Sequence, residues 1–298
     1  MAGDVLQTKN EIESMTDTDR SKWDVTIVPK QNLFDLGLDE VWRFRDLIGL
    51  FVHRNFIVNY RQTILGPLWY VVQPLMTTAV FTIVFGLIGR MPTDGIPPIL
   101  FYLSGIVVWS NYASNVMSTA DVFVANMGLF GKVYFPRLTI PIATILTNLI
   151  TLAVHLVVFA LVFILADLWG GAARPTWWVL LFPFVFIANI MMAFGVGLIV
   201  SALTTRYRDL SSMIGTVMQL WMYASPVFYP LSQVPGKWRL VVALNPVSTS
   251  IELFRVMVFG VGAVSVSTVL ISLTVVIIVF VSGLVMFHQA ELNAADTV

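Results

Sequence analysis

From 138 to 167 the chain reads LTIPIATILTNLITLAVHLVVFALVFILAD, and until the final Asp167 its only ionisable side chain is His155. One helix in water cannot bury that much apolar surface, whereas a bilayer crossing requires about 20 predominantly apolar residues. Five more windows meet the requirement: roughly 67 to 89, 97 to 119, 177 to 203, 212 to 229 and 264 to 287. The composition agrees, with 57% hydrophobic and 11% charged residues in 298, against about 25% charged in soluble domains. The expected fold class is an all-α integral membrane protein with six transmembrane helices. An even number of crossings places both termini on the same side.

Orientation follows from Lys and Arg in the short loops. With the N-terminus inside, Arg43, Arg45, Arg54, Arg61, Lys132, Arg137, Arg206 and Arg208 are cytosolic, while Arg90, Arg174, Lys237, Arg239 and Arg255 are external. Trp69, Trp109, Trp177, Trp178 and Trp221 near span ends agree with interfacial aromatic belts. The first thirty residues hold no apolar stretch fit for a signal peptide or a span. Residues 1–39 therefore read as a cytosolic tail, in which Trp23 to Pro29 alternates well enough for a short strand or extended arm. Residues 63–290 form the membrane domain and 291–298 a second cytosolic tail.

Residues 40–62 are too short and too charged to cross. Val41, Phe44, Ile48, Phe51 and Val52 recur at helical spacing, so the segment is expected to lie as an amphipathic helix in the headgroup plane. The Gly66-Pro67 pair then ends it and turns the chain into the bilayer, Pro being tolerated in the first turn of the next helix. Between 226 and 262, Pro226, Pro230, Pro235 and Pro246 interrupt apolar stretches, and Glu252 and Arg255 stand three apart on one helical face. Irregular backbone at membrane depth survives only when shielded by protein or lining water. Short re-entrant helices at the external face are expected, lining an exit; the alternative is a surface hairpin whose Glu252-Arg255 pair is solvated.

Several chemistries are excluded or disfavoured. A net charge of zero rules out a broadly basic nucleic-acid binder, and the absence of Cys removes thiolate metal sites, disulfides and cysteine nucleophiles. His53, His155 and His288 show no ligand spacing. GLFGKV (128–133) is not a phosphate loop: Asn126 stands where Gly is required and Val133 where Ser or Thr is required. No cofactor site is expected in this chain. His155, with Asn148, Asn189 and Gln219 as polar companions in the spans, is expected to pack against a neighbour rather than to carry protons. The Ala193, Gly197 and Ser201 row suits close helix packing or a subunit contact. Two cytosolic loops, 126–141 and 204–211, look suited to transmitting force.

Taken in order, YRQTILGPLWYVVQPL (60–75), FTIVFG (81–86), KVYFPRLTIPIA (132–143), RYRDL (206–210), YASPVFYP (223–230) and LNPVSTSIELFR (244–255) resemble the membrane subunit of polysaccharide-exporting ABC transporters of the ABC-2 type. The terminal FHQAELNAADTV follows that family only loosely. The resemblance implies a homodimer of six-helix subunits joined to two separate ATP-binding cassette subunits, which hold the ATP and Mg, in the bacterial cytoplasmic (inner) membrane. The substrate it implies is a polyprenyl-diphosphate-linked polysaccharide such as O-antigen.

On that resemblance, 40–62 is an interface helix against the ATPase and 126–137 holds a coupling helix. Arg43, Arg45, Arg54, Gly128, Lys132, Arg206 and Arg208 then belong to the coupling surface. The diphosphate would meet Arg61 and Arg137, with Arg54 and Lys132 as further cations. External gate helices fall within 230–260, with Pro226, Pro230, Asn245, Pro246, Glu252 and Arg255. Sugars offer apolar C–H faces to aromatic rings, and Trp69, Tyr70, Trp109, Tyr112, Trp221, Tyr223 and Tyr229 are candidates for a channel wall. The rivals are an exporter of small hydrophobic molecules and a membrane polyprenyl-phosphate glycosyltransferase. The latter calls for clustered carboxylates, and Asp121 and Asp209 are isolated.

Overall fold

A computed structural model of the chain describes residues 38–60, 63–130, 135–168, 176–207, 209–262 and 264–295, and every regular element among them is helical. The candidate strand at Trp23 to Pro29 lies outside the described residues, as do Arg61, Lys132, Arg174 and Arg208. The chain opens with α1 (Leu38–Arg43) and α2 (Arg45–Tyr60). Asp39 and Glu40 in the first turn of α1 complement its dipole. Phe44 joins the two helices: its N–H donates to the Glu40 carbonyl at 3.2 Å, and its own carbonyl accepts from Ile48 at 3.0 Å.

The apolar stripe of α1 and α2 has the expected spacing but a different partner. Val41 and Phe51 are buried, and Phe44, Ile48 and Val52 pack with them against Phe135, Ile140, Ala143 and neighbouring residues. The stripe therefore seats α2 on protein, chiefly on α6, rather than on lipid headgroups. Trp42, Leu50 and Val58 are left exposed on other faces. A helix apolar on more than one face has little amphipathic contrast, and periodicity alone does not reveal which face meets protein.

Gly66 sits at φ +53°, in the left-handed region that a side chain disfavours, and starts the single 3-10 turn Gly66–Leu68. Helix α3 (Trp69–Phe81) follows and widens into π-helical turns over Thr82–Ile88, where the Gly89 N–H reaches back to the Val84 carbonyl at 2.8 Å. Pro74 inside α3 has no N–H to give the Tyr70 carbonyl. His155, buried on α6, hydrogen-bonds that carbonyl, while its Nδ1 lies 3.4 Å from Ser110 Oγ on α4. The histidine thus joins three helices at a proline-made gap, which is a packing role.

The remaining helices are α4 (Pro98–Ala120), α5 (Val122–Phe130), α6 (Thr139–Leu168), α7 (Phe182–Thr204, entered through a 3-10 turn at Trp177–Leu181), α8 (Asp209–Tyr223), α9 (Gly236–Leu244), α10 (Pro246–Phe259) and α11 (Val266–Ala295). Among the described residues four stretches are long and apolar enough to cross a membrane: Gly66–Ile88, Thr139–Leu168, Trp177–Thr204 and Val266–Leu292. A fifth appears if α9 and α10, bent at 96° to each other, count as one.

Two of the six expected windows are absent from that group, for different reasons. Helix α4 is the central helix, packed by α3, α6, α7 and α10, and most of its residues are buried. Surrounded by protein, it can carry Ser104, Asn111, Asn115 and Thr119 where a lipid-facing helix would carry Leu. Helix α8 stops at Tyr223 after 15 residues, roughly 22 Å at 1.5 Å per residue, against a hydrocarbon core of about 30 Å.

Helices meet most closely where glycine allows it. A Cβ on Gly195 of α7 would lie 2.7 Å from the Val279 carbonyl oxygen, and one on Gly283 of α11 would strike the Gly195 backbone. A Cβ on Gly197 would lie 2.6 Å from Thr119 Cβ on α4. Ala193 and Ser201 are fully buried, so the small-residue row packs inside the subunit. The Gly195–Gly283 contact beside it is not evident from that row.

Candidate functional site

The two ends of the helical layer carry different chemistry. At one end the segment after α8 turns back on itself and is pinned by α10. Arg255 is 1% exposed. Its Nε donates to Ser104 Oγ at 3.3 Å, Nη1 to the Pro226 carbonyl at 2.8 Å and to Glu252 Oε1 at 3.1 Å, and Nη2 to the Phe101 and Val227 carbonyls at 3.3 and 3.2 Å. A guanidinium has five N–H groups, and five acceptors meet this one. Its carbon lies 3.7 Å from the Phe101 ring centroid. Gly105 makes the approach possible, since a Cβ there would lie 3.0 Å from Arg255 Nη2.

Glu252 Oε1 also accepts from the Leu231 N–H at 3.4 Å, and Ser232 Oγ donates to Asp94 at 2.8 Å. Asn245 caps α10 by accepting from Val247 N at 3.2 Å and donates to Ser225 Oγ at 3.0 Å, with Pro246 in the first turn. The Glu252-Arg255 pair is therefore not the solvated pair of the surface-hairpin alternative. It is a buried clamp holding α10, the N-terminal part of α4 and the 224–231 segment together. Pro226 and Pro230 are buried in that segment.

The aromatic candidates divide. Tyr112 and Trp109 are buried inside the subunit, 5.6 Å apart, and Tyr112 meets half-buried Trp221 edge-on at 5.5 Å. Neither buried ring has a face to offer a channel. Tyr223 and Trp69 are exposed, and Tyr70 and Tyr229 are half-buried. Tyr223 stacks on Phe228 at 5.4 Å, and Phe228 meets Phe81 and Phe85 at 4.7 and 5.0 Å. These three phenylalanines form with Tyr223 a ring cluster that sequence reasoning did not single out, because in a chain with 21 Phe nothing local distinguishes them.

Helix α8 buries only Ile214 and Met218. Exposed Ser212, Thr216 and Gln219 share its surface with Met213, Val217, Leu220 and Tyr223. Hydrocarbon does not hydrogen-bond such polar groups, so this surface suits water or another protein face.

At the other end, Arg43, Arg45, Arg54 and Arg206 are exposed, and Gly128 in α5 has open space beside it. Arg45 meets Asp46 at 4.0 Å in an exposed pair, and Arg206 lies 5.6 Å from the Tyr207 ring centroid. Arg137 is held by the last helix: its backbone N–H donates to Glu291 Oε1 at 3.1 Å and its Nη1 to the Glu291 carbonyl at 3.2 Å. Arg54 lines a crevice with Asp121 and Asn126. Among the described residues no three His, Asp or Glu side chains converge as metal ligands.

With this geometry, comparison with known proteins is decisive for the family. The profile of the family described as ABC-2 type transporter matches residues 46–259, from α2 to the end of α10. The chain belongs to the ABC-2 type transporter family. It is a multi-pass transport subunit. This ABC-2 chain is similar to the O-antigen export system permease protein RfbA of Klebsiella pneumoniae, 27% identical over 255 residues that cover 84% of this chain and 94% of that protein. It is also similar to RfbA of Myxococcus xanthus, 29% identical over 209 residues, 70% of this chain and 78% of that one. A more distant relative is the capsule polysaccharide export inner-membrane protein CtrC of Neisseria meningitidis serogroup A, 23% identical over 222 residues, 72% of this chain and 79% of that one.

Proposed function

We propose that this chain is the permease subunit of an ATP-driven exporter that carries polyprenyl-diphosphate-linked polysaccharide, O-antigen or a similar glycan, across the bacterial cytoplasmic membrane. The carrying observation is its similarity, over 84% of its length, to an O-antigen export permease. Two copies would face each other, with the mixed polar and aromatic surface of α8 and the exposed rings of Trp69 and Tyr223 toward the glycan. Both termini, α1, α2 and α5 lie on the cytosolic side in this reading, where a separate ATPase docks. Helix α4, and α8 with the segment after it, join the four apolar stretches to make six crossings. The α9–α10 pair forms the re-entrant gate outside.

The test is co-purification with the ATPase encoded beside this chain, followed by ATP hydrolysis with and without lipid-linked glycan. Stimulation by the glycan, reduced in Tyr223→Ala and Trp69→Ala, is expected. A chain that binds no ATPase, or that transports alone, overturns the proposal. Arg61→Ala with unchanged export would remove the diphosphate role assigned to that residue. One observation favours the rival exporter of small hydrophobic molecules: an apolar groove of about 390 Å³ between α7, α10 and α11, lined by Trp178, Phe184, Leu253, Met257 and Leu273. It opens beside exposed Phe184 and Trp178, where a lipid chain fits equally well. Hydrolysis stimulated by small apolar compounds and not by glycan would decide for the rival.

A further inference from the structure

The crevice beside Arg54 has a volume of about 450 Å³, within the usual size of small-molecule sites, and lies between α2, the junction of α4 with α5, and the start of α6. These are helix ends that the proposed topology puts at the cytosolic boundary of the spanning layer, and on that reading the crevice lies at headgroup depth. One side is cationic. Arg54 is fixed over Phe51, 4.8 Å from its ring centroid, with Nε and Nη2 both donating to Asn55 Oδ1 at 3.3 and 3.1 Å. Its Nη1 hydrogens remain available in a planar fork suited to phosphate oxygens.

The opposite wall presents acceptors. Thr144 and Thr147 donate their hydroxyl hydrogens to the carbonyls of Ile140 and Ala143, each at 2.9 Å. Asn126 Nδ2 donates to the Val122 carbonyl at 3.0 Å, and Asn148 Nδ2 to Asn115 Oδ1 and Ser118 Oγ at 2.9 and 3.0 Å. The Thr144 and Thr147 hydroxyl hydrogens and both Asn148 Nδ2 hydrogens are thus committed, and apart from one remaining Asn126 N–H this wall offers mainly acceptors: two threonine hydroxyl oxygens, the Asn126 and Asn148 amide oxygens, and the Asp121 carboxylate. Among the described residues neither Arg54 nor Asp121 is in an ion pair with another side chain.

We infer that this crevice binds the phosphoethanolamine headgroup of a membrane phospholipid, its phosphate on Arg54 and its primary ammonium against Asp121 and the asparagine oxygens. A primary ammonium supplies the three N–H donors that an acceptor wall requires, whereas a trimethylated choline has none. A diphosphate meets repulsion from the Asp121 carboxylate and from the same lone pairs, so the substrate's own anionic group is a poor fit. Partial desolvation by the crevice walls raises the Asp121 carboxyl above its ordinary range, and an ammonium beside it offsets that cost. Exposed Val58 on the rim gives the glycerol and first acyl carbons an apolar surface.

The experiment uses the full chain in mild detergent with any co-purifying subunits retained. Native mass spectrometry reads lipid retention after exchange into dioleoyl phosphatidylethanolamine, phosphatidylcholine or phosphatidylglycerol. Retention of phosphatidylethanolamine about tenfold above phosphatidylcholine is expected, as is a loss of about tenfold in each of Asp121→Asn and Arg54→Gln, the scale of one charge-assisted hydrogen bond. Both positions are exposed, and an unchanged melting curve certifies the fold of each variant. Equal retention of the two zwitterionic lipids, or a preference unaffected by Asp121→Asn, overturns the inference. Soluble phosphoethanolamine competing as well as the lipid would assign the crevice to a free metabolite and also overturn it. So would displacement by polyprenyl diphosphate, tightened in Asp121→Asn, which would make the crevice a substrate site. Transport is not measured, so failure of the export proposal leaves this result intact.

Discussion

Replacing Arg255 with methionine tests the clamp at the gate end. Methionine keeps an unbranched chain of similar reach, but it strands the Glu252 carboxylate, 2% exposed, and withdraws the donors of the Phe101, Pro226 and Val227 carbonyls. Removing one partner of a buried ion pair costs about 3–5 kcal/mol. At roughly 2–4 °C per kcal/mol for a chain of this size, the melting midpoint should fall by roughly 6–20 °C. Tryptophan fluorescence during heating, with gel filtration after it, reads the shift. Arg255→Lys should fall between, since an ammonium has three donors for five acceptors and no planar fork to lie over Phe101. The double variant E252Q/R255M should recover much of the loss, because the stranded carboxylate is its largest part. An R255M midpoint within about 3 °C of the parent, or a double variant no better than the single, would refute the assignment of that energy to the clamp.

At the helix crossings, Gly283→Ala should destabilise by about 1–3 kcal/mol through overpacking, whereas Gly128→Ala, with open space for its Cβ, should stay within about 1 kcal/mol of the parent; the same melting assay separates them. His155→Ala should cost about 1–3 kcal/mol by leaving the Tyr70 carbonyl without its side-chain donor. The cost should shrink when Pro74→Ala restores a backbone N–H for that carbonyl, and a cycle showing no coupling would dismiss the proline-gap account. Arg137→Ala should remove the Nη1 bond to the Glu291 carbonyl, leave the backbone N–H bond to its carboxylate, and speed amide hydrogen exchange across 288–292. Unchanged exchange there would show that the side-chain bond carries nothing.

What was legible in the sequence follows from how local each cause is. The four apolar stretches and the Gly66 turn could be read because lipid exposure and a left-handed backbone act on the residues that show them. Helix α1–α2 was half legible: the stripe Val41, Phe44, Ile48, Phe51 gives the buried face, yet nothing in its period says that α6 rather than headgroups covers it. Helix α4 was legible as the window 97 to 119, but not its central place: its neighbours are protein, so its polar side chains cost little when they bond inward, as Asn115 does to the Asn111 carbonyl at 2.8 Å.

The clamp shows the limit most clearly. Glu252 and Arg255 advertise themselves as charges three apart, but the acceptors that bury Arg255 lie on α4, some 150 positions earlier, and in the segment just after α8. That dependence also accounts for the early end of α8. A helix continued past Tyr223 would spend the Pro226 and Val227 carbonyls on its own ladder, and Arg255 would then be buried with too few acceptors. Pro226 and Pro230 prevent that continuation, since neither can donate to a preceding turn. The prolines read at first as interruptions of a span are therefore what frees the backbone oxygens to hold the arginine. A Pro226→Ala variant, permitting the extra helical turn, should loosen the same clamp that R255M removes, with the two losses less than additive in a double-mutant cycle; full additivity would mean that the end of α8 and the burial of Arg255 have separate causes.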